Sequence, residues 1–185
     1  PAVAEACMER IFLPTVRAMK AEGRPFRGCL YFGLMLTKDG PKVIEYNCRF
    51  GDPETQVVLP LLESDLLAIM RACASGTLSA EQVVFRRGAA CCVILASDGY
   101  PGKYEKGYEI TVPAGLDAVV YHAGSALKDG RLVTAGGRVL GVTATGGTLE
   151  QAVERAYAAA DRVHFQNAYC RRDIGQKALQ QKGRS

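Results

Sequence analysis

Tryptophan is absent from this 185-residue chain, histidine occurs twice and aromatic residues make up only 8%. The two histidines, His122 and His164, have no companions at ligand or triad spacing, so a structural zinc site is not expected. No C-x-x-C pair occurs either. The seven cysteines (Cys7, Cys29, Cys48, Cys73, Cys91, Cys92, Cys170) are odd in number and scattered through apolar runs, which reads as reduced, buried thiols in a cytoplasmic protein. No apolar run approaches the ~20 residues that span a bilayer. The opening residues carry no signal-peptide pattern. An excess of one charge is also missing. The net +4 arises partly from a basic tail (Arg171, Arg172, Lys177, Lys182, Arg184), so neither a nucleic-acid nor a membrane partner is expected, while a small anionic substrate suits it.

What is present is an ordinary globular composition, 48% hydrophobic and 23% charged, long enough for one large domain or two small ones. The chain opens on Pro1 without a methionine and enters a helical pattern almost at once, which suggests a piece of something longer. Residues 3–22 carry Val3, Cys7, Met8, Ile11, Phe12, Val16 and Met19 at helical spacing, with a kink expected at Pro14 and a stop at Gly23. "GCLYFGLMLTKDGPKVIEYN" reads as a hairpin turning at Asp39-Gly40. "GDPET" reads as a helix start, with Asp52 as N-cap and Pro53 at the first helical position. A second helix follows Ser64 and ends near Gly76.

Residues 77–88 look like a connection, and the texture beyond is rich in glycine and β-formers. Strands are predicted at 89–96, 108–112, 118–122 and 137–145, with a small hairpin turning at Lys128-Asp129-Gly130. Thr148 and Gln151 form a capping box ahead of a helix at 149–163, with Leu149, Ala152, Val153, Ala156, Ala160 and Val163 inward. The fold class is α+β. Cys91 and Cys92 fall inside an apolar strand and read as inert core thiols.

The stretch "VIEYNCRFGDPETQ" (43–56) carries the chemistry. Side chains alternate along a strand, so Glu45, Asn47 and Arg49 share one face and Ile44, Tyr46 and Cys48 the other. A carboxylate, an amide and a guanidinium in a row are costly to bury without partners. Either the face is a solvated edge carrying a surface pair, or something sits on it. In the second case Glu45 and Asn47 offer hard oxygens for magnesium, which is commonly shared between protein carboxylates and substrate phosphates. Arg49 would clamp a phosphoryl group or a carboxylate, and Asp52 would open a helix whose N–H groups favour anions.

"RFGDPETQ" (49–56), "SDGYPGKYEKG" (97–107), "HAGSALKDG" (122–130), "TAGGRVLGVTATG" (134–146) and "YCRRDIGQKA" (169–178) together resemble, in order and spacing, the glycinamide ribonucleotide synthetase (phosphoribosylamine–glycine ligase) family. "EYN" (45–47) resembles the metal strand of the wider ATP-grasp superfamily. The resemblance covers essentially the whole chain. It implies the C-terminal part of an ATP-grasp domain at 1–76, a linker at 77–88, and a small β-rich C-terminal domain with a terminal helix at 89–185. The implied activity is ATP-dependent joining of glycine to 5-phosphoribosylamine through glycyl phosphate, in purine biosynthesis. The implied partners are ATP, both substrates and the upstream part of the same polypeptide. The isolated chain is then expected to be inactive, since most nucleotide contacts would lie before Pro1.

By that resemblance Glu45 and Asn47 hold Mg2+ or Mn2+, Arg49 stabilises the transferring phosphoryl group, and Asp52 orients glycine's ammonium or the amine nucleophile. Tyr100 and Gly102 place their loop toward the substrate cleft, and Arg138 either contacts the ribose phosphate or serves as a surface or structural ion-pair residue. The family often has an acidic residue where Lys103 stands, so that side chain is assigned no role. Arg171, Arg172 and Asp173 are expected to dock the tail on the core. Two other readings are a different ATP-grasp carboxylate–amine ligase or biotin-carboxylase-like enzyme, and a non-catalytic binding module that kept the fold. "RFGDPETQ" with "GYPG" speaks against the first, and the intact Glu45, Asn47 and Arg49 against the second.

Overall fold

The computed structural model describes residues 2–182, so Pro1 and Arg184 lie outside it. The chain begins with helix α1 (Ala2–Cys7), a π-helical turn (Met8–Phe12) and α2 (Leu13–Ala21). Strands β1 (Tyr31–Thr37) and β2 (Gly40–Asn47) follow, then the short helix α3 (Thr55–Val58), a 3-10 turn (Leu59–Leu61) and α4 (Leu66–Ser75). Next come β3 (Ala89–Ser97), β4 (Val119–His122), β5 (Ser125–Lys128), β6 (Arg131–Thr134) and β7 (Arg138–Gly146). Helix α5 (Leu149–Ala160), the two-residue β8 (Ala168–Tyr169) and α6 (Gln176–Lys182) close the chain. Among the described residues no helix is long and apolar enough to cross a membrane.

Contacts divide the chain into two compact units, and neither is contiguous in sequence. The first joins residues up to Gly51 with Ser64–Val84, and the second joins Asp52–Glu63 with the chain from Phe85 onward. The segment Asp52–Glu63 therefore packs with the C-terminal strands.

In the first unit the expected kink at Pro14 takes the form of the π turn. The Leu13 N–H reaches back five residues to the Met8 carbonyl, and Thr15 Oγ1 donates to the Ile11 carbonyl at 2.7 Å. The spacing thus accommodates a proline that has no N–H to give. Of the apolar positions in this helical run, Cys7 and Ile11 are buried while Val3, Met8 and Val16 are exposed. The predicted hairpin is present and antiparallel. Phe32 and Tyr46 pair across it at 5.3 Å between ring centroids, and Phe12 meets Phe32 at 4.4 Å. Helix α4 is capped by the Asp65 carboxylate, which accepts from the Ala68 N–H at 2.9 Å, and it stops at Gly76 with φ 76°.

The second unit carries the main core. Its sheet runs β4-β7-β3-β8, all antiparallel, with α5 on one face. Val93, Val139, Leu140 and Val142 are completely buried, and Ala152 and Ala156 of α5 pack into the same cluster. The small alanines let the helix axis approach the sheet closely. The α5 cap is the predicted one in half. Thr148 Oγ1 accepts from the Gln151 N–H, but Gln151 Oε1 accepts from Gly147, one residue earlier than a capping box requires.

Residues 108–112 do not form the predicted strand. Tyr108 and Ile110 bond to the β6 backbone while Thr111 exchanges two bonds with His164, so the segment changes partner before a ladder can build. The tail docks as expected. Arg171 forks onto Asp173 at 2.7 and 2.9 Å, Arg172 reaches Asp161 at 2.6 Å, and the Tyr157 hydroxyl donates to the Arg171 carbonyl while accepting from the Ile174 N–H. The Arg171 guanidinium holds the Asp173 carboxyl below the usual carboxylate range.

Burial, and then the adjacent Cys92 thiol, push the Cys91 thiol up to about 11. At pH 8 Cys91 therefore exposes almost no thiolate, whereas Cys48 is solvent-exposed. Iodoacetamide at pH 8 is expected to label Cys48 first and Cys91 only after denaturation, as read by peptide mass spectrometry. Early labelling of Cys91 would show that β3 opens locally.

Candidate functional site

In the first unit, the site residues stand at the end of β2. The register pairs Tyr31 with Asn47 and Gly33 with Glu45, but Leu34 with Val43, so Ile44 is an extra residue bulged out of the ladder. Such a bulge re-aims the side chains that follow it. Beyond it Glu45 and Asn47 share one face, and Asn47 Nδ2 donates to Glu45 Oε1 at 3.1 Å. This leaves Glu45 Oε2 and Asn47 Oδ1 as adjacent hard oxygen acceptors, a donor set that fits a divalent cation. Among the described residues no group of three or more His, Cys, Asp or Glu side chains is gathered. A cation here would need further ligands from outside this pair.

Arg49 does not continue that face. β2 ends at Asn47, the last residue to pair, and Arg49 lies in the bend beyond it. Its Nη1 donates to the Phe50 carbonyl at 2.9 Å. Together with Arg27, Cys48, Phe50 and Met70 it lines an apolar cavity of about 470 Å³.

In the second unit, Asp52 is not the predicted N-cap. The helix starts at Thr55 behind Glu54, which has helical dihedrals and makes no side-chain cap. The Asp52 carboxylate is taken up otherwise: Oδ2 accepts from Arg138 Nη2 at 2.9 Å and Oδ1 from Gln56 Nε2 at 2.8 Å. Arg138 Nη1 also donates to the Asp52 carbonyl at 3.3 Å. Both residues of this pair are exposed by 40% or more, so its direct contribution to stability is about 0–1 kcal/mol. Its effect is to hold the Asp52–Gln56 turn against the start of β7. Burial chiefly, with a smaller part from the Asp52 charge, raises the Cys92 thiol.

The "GYPG" loop meets the same end of β7. Ser97 N–H donates to the Gly137 carbonyl at 2.8 Å and Ser97 Oγ to that of Gly136 at 3.1 Å. The Tyr100 ring lies directly on Gly137, where an added β carbon would come within 2.0 Å of Tyr100 Cδ2. Tyr104 stands edge-on to Tyr100 at 6.0 Å. Gly102 closes the loop against the Gly99 carbonyl. Four of the predicted residues (Asp52, Tyr100, Gly102, Arg138) are thus gathered in the second unit, and three (Glu45, Asn47, Arg49) in the first. Sequence reasoning missed Gln56 and Gly137. The signal for Gln56 was its place four residues after Asp52 in "GDPETQ".

Two family models match the chain: "Phosphoribosylglycinamide synthetase, ATP-grasp (A) domain" over residues 1–55 and "Phosphoribosylglycinamide synthetase, C domain" over residues 90–177. The chain belongs to the phosphoribosylglycinamide synthetase family. It is 52% identical over 181 residues to the phosphoribosylamine–glycine ligase of Agrobacterium fabrum, covering 97% of this chain and 43% of that protein. It is 49% identical to a trifunctional purine biosynthetic protein of Gallus gallus, covering 92% of this chain and 17% of the relative. Among solved structures, the phosphoribosylamine–glycine ligase of Thermotoga maritima superposes with a TM-score of 0.83 at 42% identity, over 94% of this chain and 43% of that one. A biotin carboxylase from Campylobacter jejuni, 20% identical with a TM-score of 0.60 over 88% of this chain and 36% of its own, shares the ATP-grasp-type fold alone. The chain therefore spans less than half the length of the ligases it matches.

Proposed function

We propose that this chain serves ATP-dependent ligation of glycine to 5-phosphoribosylamine, with Mg2+ or Mn2+ as the cation. The observation that carries the reading is the Glu45–Asn47 pair, held together at the end of β2 in a chain of this family. In the reaction a carboxylate oxygen of glycine attacks the γ-phosphorus of ATP and ADP departs, giving glycyl phosphate. The amine of 5-phosphoribosylamine then attacks the acyl carbon, phosphate leaves, and the nitrogen loses a proton. Such chemistry depends chiefly on positioning and on neutralising charge.

Held by Glu45 and Asn47, a cation would neutralise phosphate charge. Glu45 and Asn47 offer it one carboxylate and one amide oxygen. Arg49 is assigned to the transferring phosphoryl group; its Nη1 donates to the Phe50 carbonyl, which fixes one edge of the guanidinium at the end of β2. Asp52 is assigned to a substrate amine. Both its oxygens already accept one hydrogen bond and each retains a lone pair, which favours a carboxylate fixed in place with room for a further donor. Arg138 is assigned to holding Asp52 and, with Tyr100 and Gly102, to the ribose phosphate side.

The test is ADP release by a ligase polypeptide in which this chain follows the upstream region of its family, with glycine and phosphoribosylamine omitted in turn. Dependence on both is expected. Release that follows another carboxylate or bicarbonate would retain the fold and replace the substrate. The 185-residue chain by itself is expected to release no glycine-dependent ADP, and turnover comparable to the longer polypeptide would overturn that expectation.

A further inference from the structure

Glycine is a poor strand residue, because it adds backbone entropy to the unfolded state and leaves nothing to pack. Gly33 nevertheless sits mid-strand in β1, directly opposite Glu45. Its backbone is not in the left-handed region, so the chain path does not require glycine there. What glycine provides is space. A β carbon at position 33 would lie 2.7 Å from Glu45 Cγ, 3.4 Å from Oε1 and 3.5 Å from Cδ.

Cγ is not the free end of a mobile side chain. It is bounded on one side by the backbone next to the Ile44 bulge and on the other by a carboxylate engaged with Asn47 Nδ2. A rotamer change large enough to clear a methyl group would pull Oε1 away from Asn47.

We infer that Gly33 is a positioning residue for Glu45: its missing side chain lets the carboxylate lie across β1 and meet Asn47, and so sets the geometry of the cation site. The inference rests on reading Glu45 and Asn47 as cation ligands. The bulge and the glycine act together, the first turning the side chain and the second making room for it.

The experiment uses the ligase polypeptide carrying this chain, with Mn2+ as the probe in the presence of a non-hydrolysable ATP analogue. Mn2+ affinity is read by electron paramagnetic resonance, and thermal unfolding is followed without metal or nucleotide. Gly33→Ala is expected to weaken Mn2+ binding about 10–100-fold, as losses of orienting contacts around metal ligands do. The metal-free unfolding temperature is expected to fall by no more than an ordinary overpacking loss, and to recover when Glu45→Ala removes the colliding Cγ. Gly33→Ala combined with Glu45→Gln is expected to bind no more weakly than Glu45→Gln alone, because both act through one carboxylate.

Weakening by Glu45→Gln but not by Gly33→Ala overturns the positioning role and leaves the cation reading standing. Additive losses in the double variant overturn it as well. Unchanged affinity in both single variants removes the cation reading, and the inference with it. If Gly33→Ala alone does not fold, adding Glu45→Ala deletes the colliding Cγ and is expected to restore the fold. A double variant that remains unfolded overturns the inference.

Discussion

Glu45→Gln is expected to lower the turnover of the ligase by about 10²–10³-fold, the usual loss when one fixed electrostatic stabiliser is removed from a transfer site. The substitution separates charge from structure. Glutamine keeps an Oε1 to accept from Asn47 Nδ2, and it fills the same space opposite Gly33. Urea denaturation is therefore expected to give the same midpoint as the parent protein, while the cation concentration needed for half-maximal ADP release rises. A drop in stability as large as the drop in activity would make Glu45 a structural residue. Undiminished activity would remove it from the cation site.

The second large effect is expected at Gly137, which is buried under the Tyr100 ring. A methyl group there would meet Tyr100 at 2.0 and 2.6 Å along one ring edge, and at 2.9 Å from Cγ, so the ring must leave its place. Overpacking of this kind costs about 1–3 kcal/mol. Gly137→Ala is expected to lower the urea midpoint accordingly, with the m-value unchanged. The displaced ring carries the "GYPG" loop with it, so KM for phosphoribosylamine should rise about tenfold, about 1.4 kcal/mol of lost binding. Adding Tyr100→Ala should recover most of the stability, because the collision is gone, and none of the KM. Full stability in Gly137→Ala alone would show that the loop yields without cost.

Much of the fold was legible because its signals are local. The hairpin announced itself through Asp39-Gly40 between two β-rich runs, α4 through its start after Ser64 and its stop near Gly76, and α5 through alanines at helical spacing. The misses share a physical cause. Asp52 looks like a helix cap because Asp-Pro before a helical run is a local signal, yet its carboxylate goes to Arg138, 86 residues away. No short window contains that competition. Residues 108–112 have strand character, but two distant partners divide their hydrogen bonds.

The candidate site was legible in the same uneven way. Glu45 and Asn47 could be placed together because a strand puts alternate residues on one face, and the bulge at Ile44 leaves that relation intact beyond it. Arg49 was placed on the same face only by assuming that the strand continues. Gly33 and Gly137 act through the absence of atoms, which a sequence shows only as a weakness in a strand.

The order in which the ribosome delivers the second unit bears on the Asp52–Glu63 segment. Arg138 is made 86 residues after Asp52. At roughly 5–20 residues per second that is a wait of roughly 4–17 s. During it the segment has been made, but the β3 and β7 strands that its short helix contacts have not been completed. Meanwhile Ser64–Val84, though synthesised later than the segment, already has its partners in Ala2–Gly51. Asp52–Glu63 is therefore made well before the β3 and β7 strands it packs with, while Ser64–Val84, which follows it in the chain, packs with residues made before it.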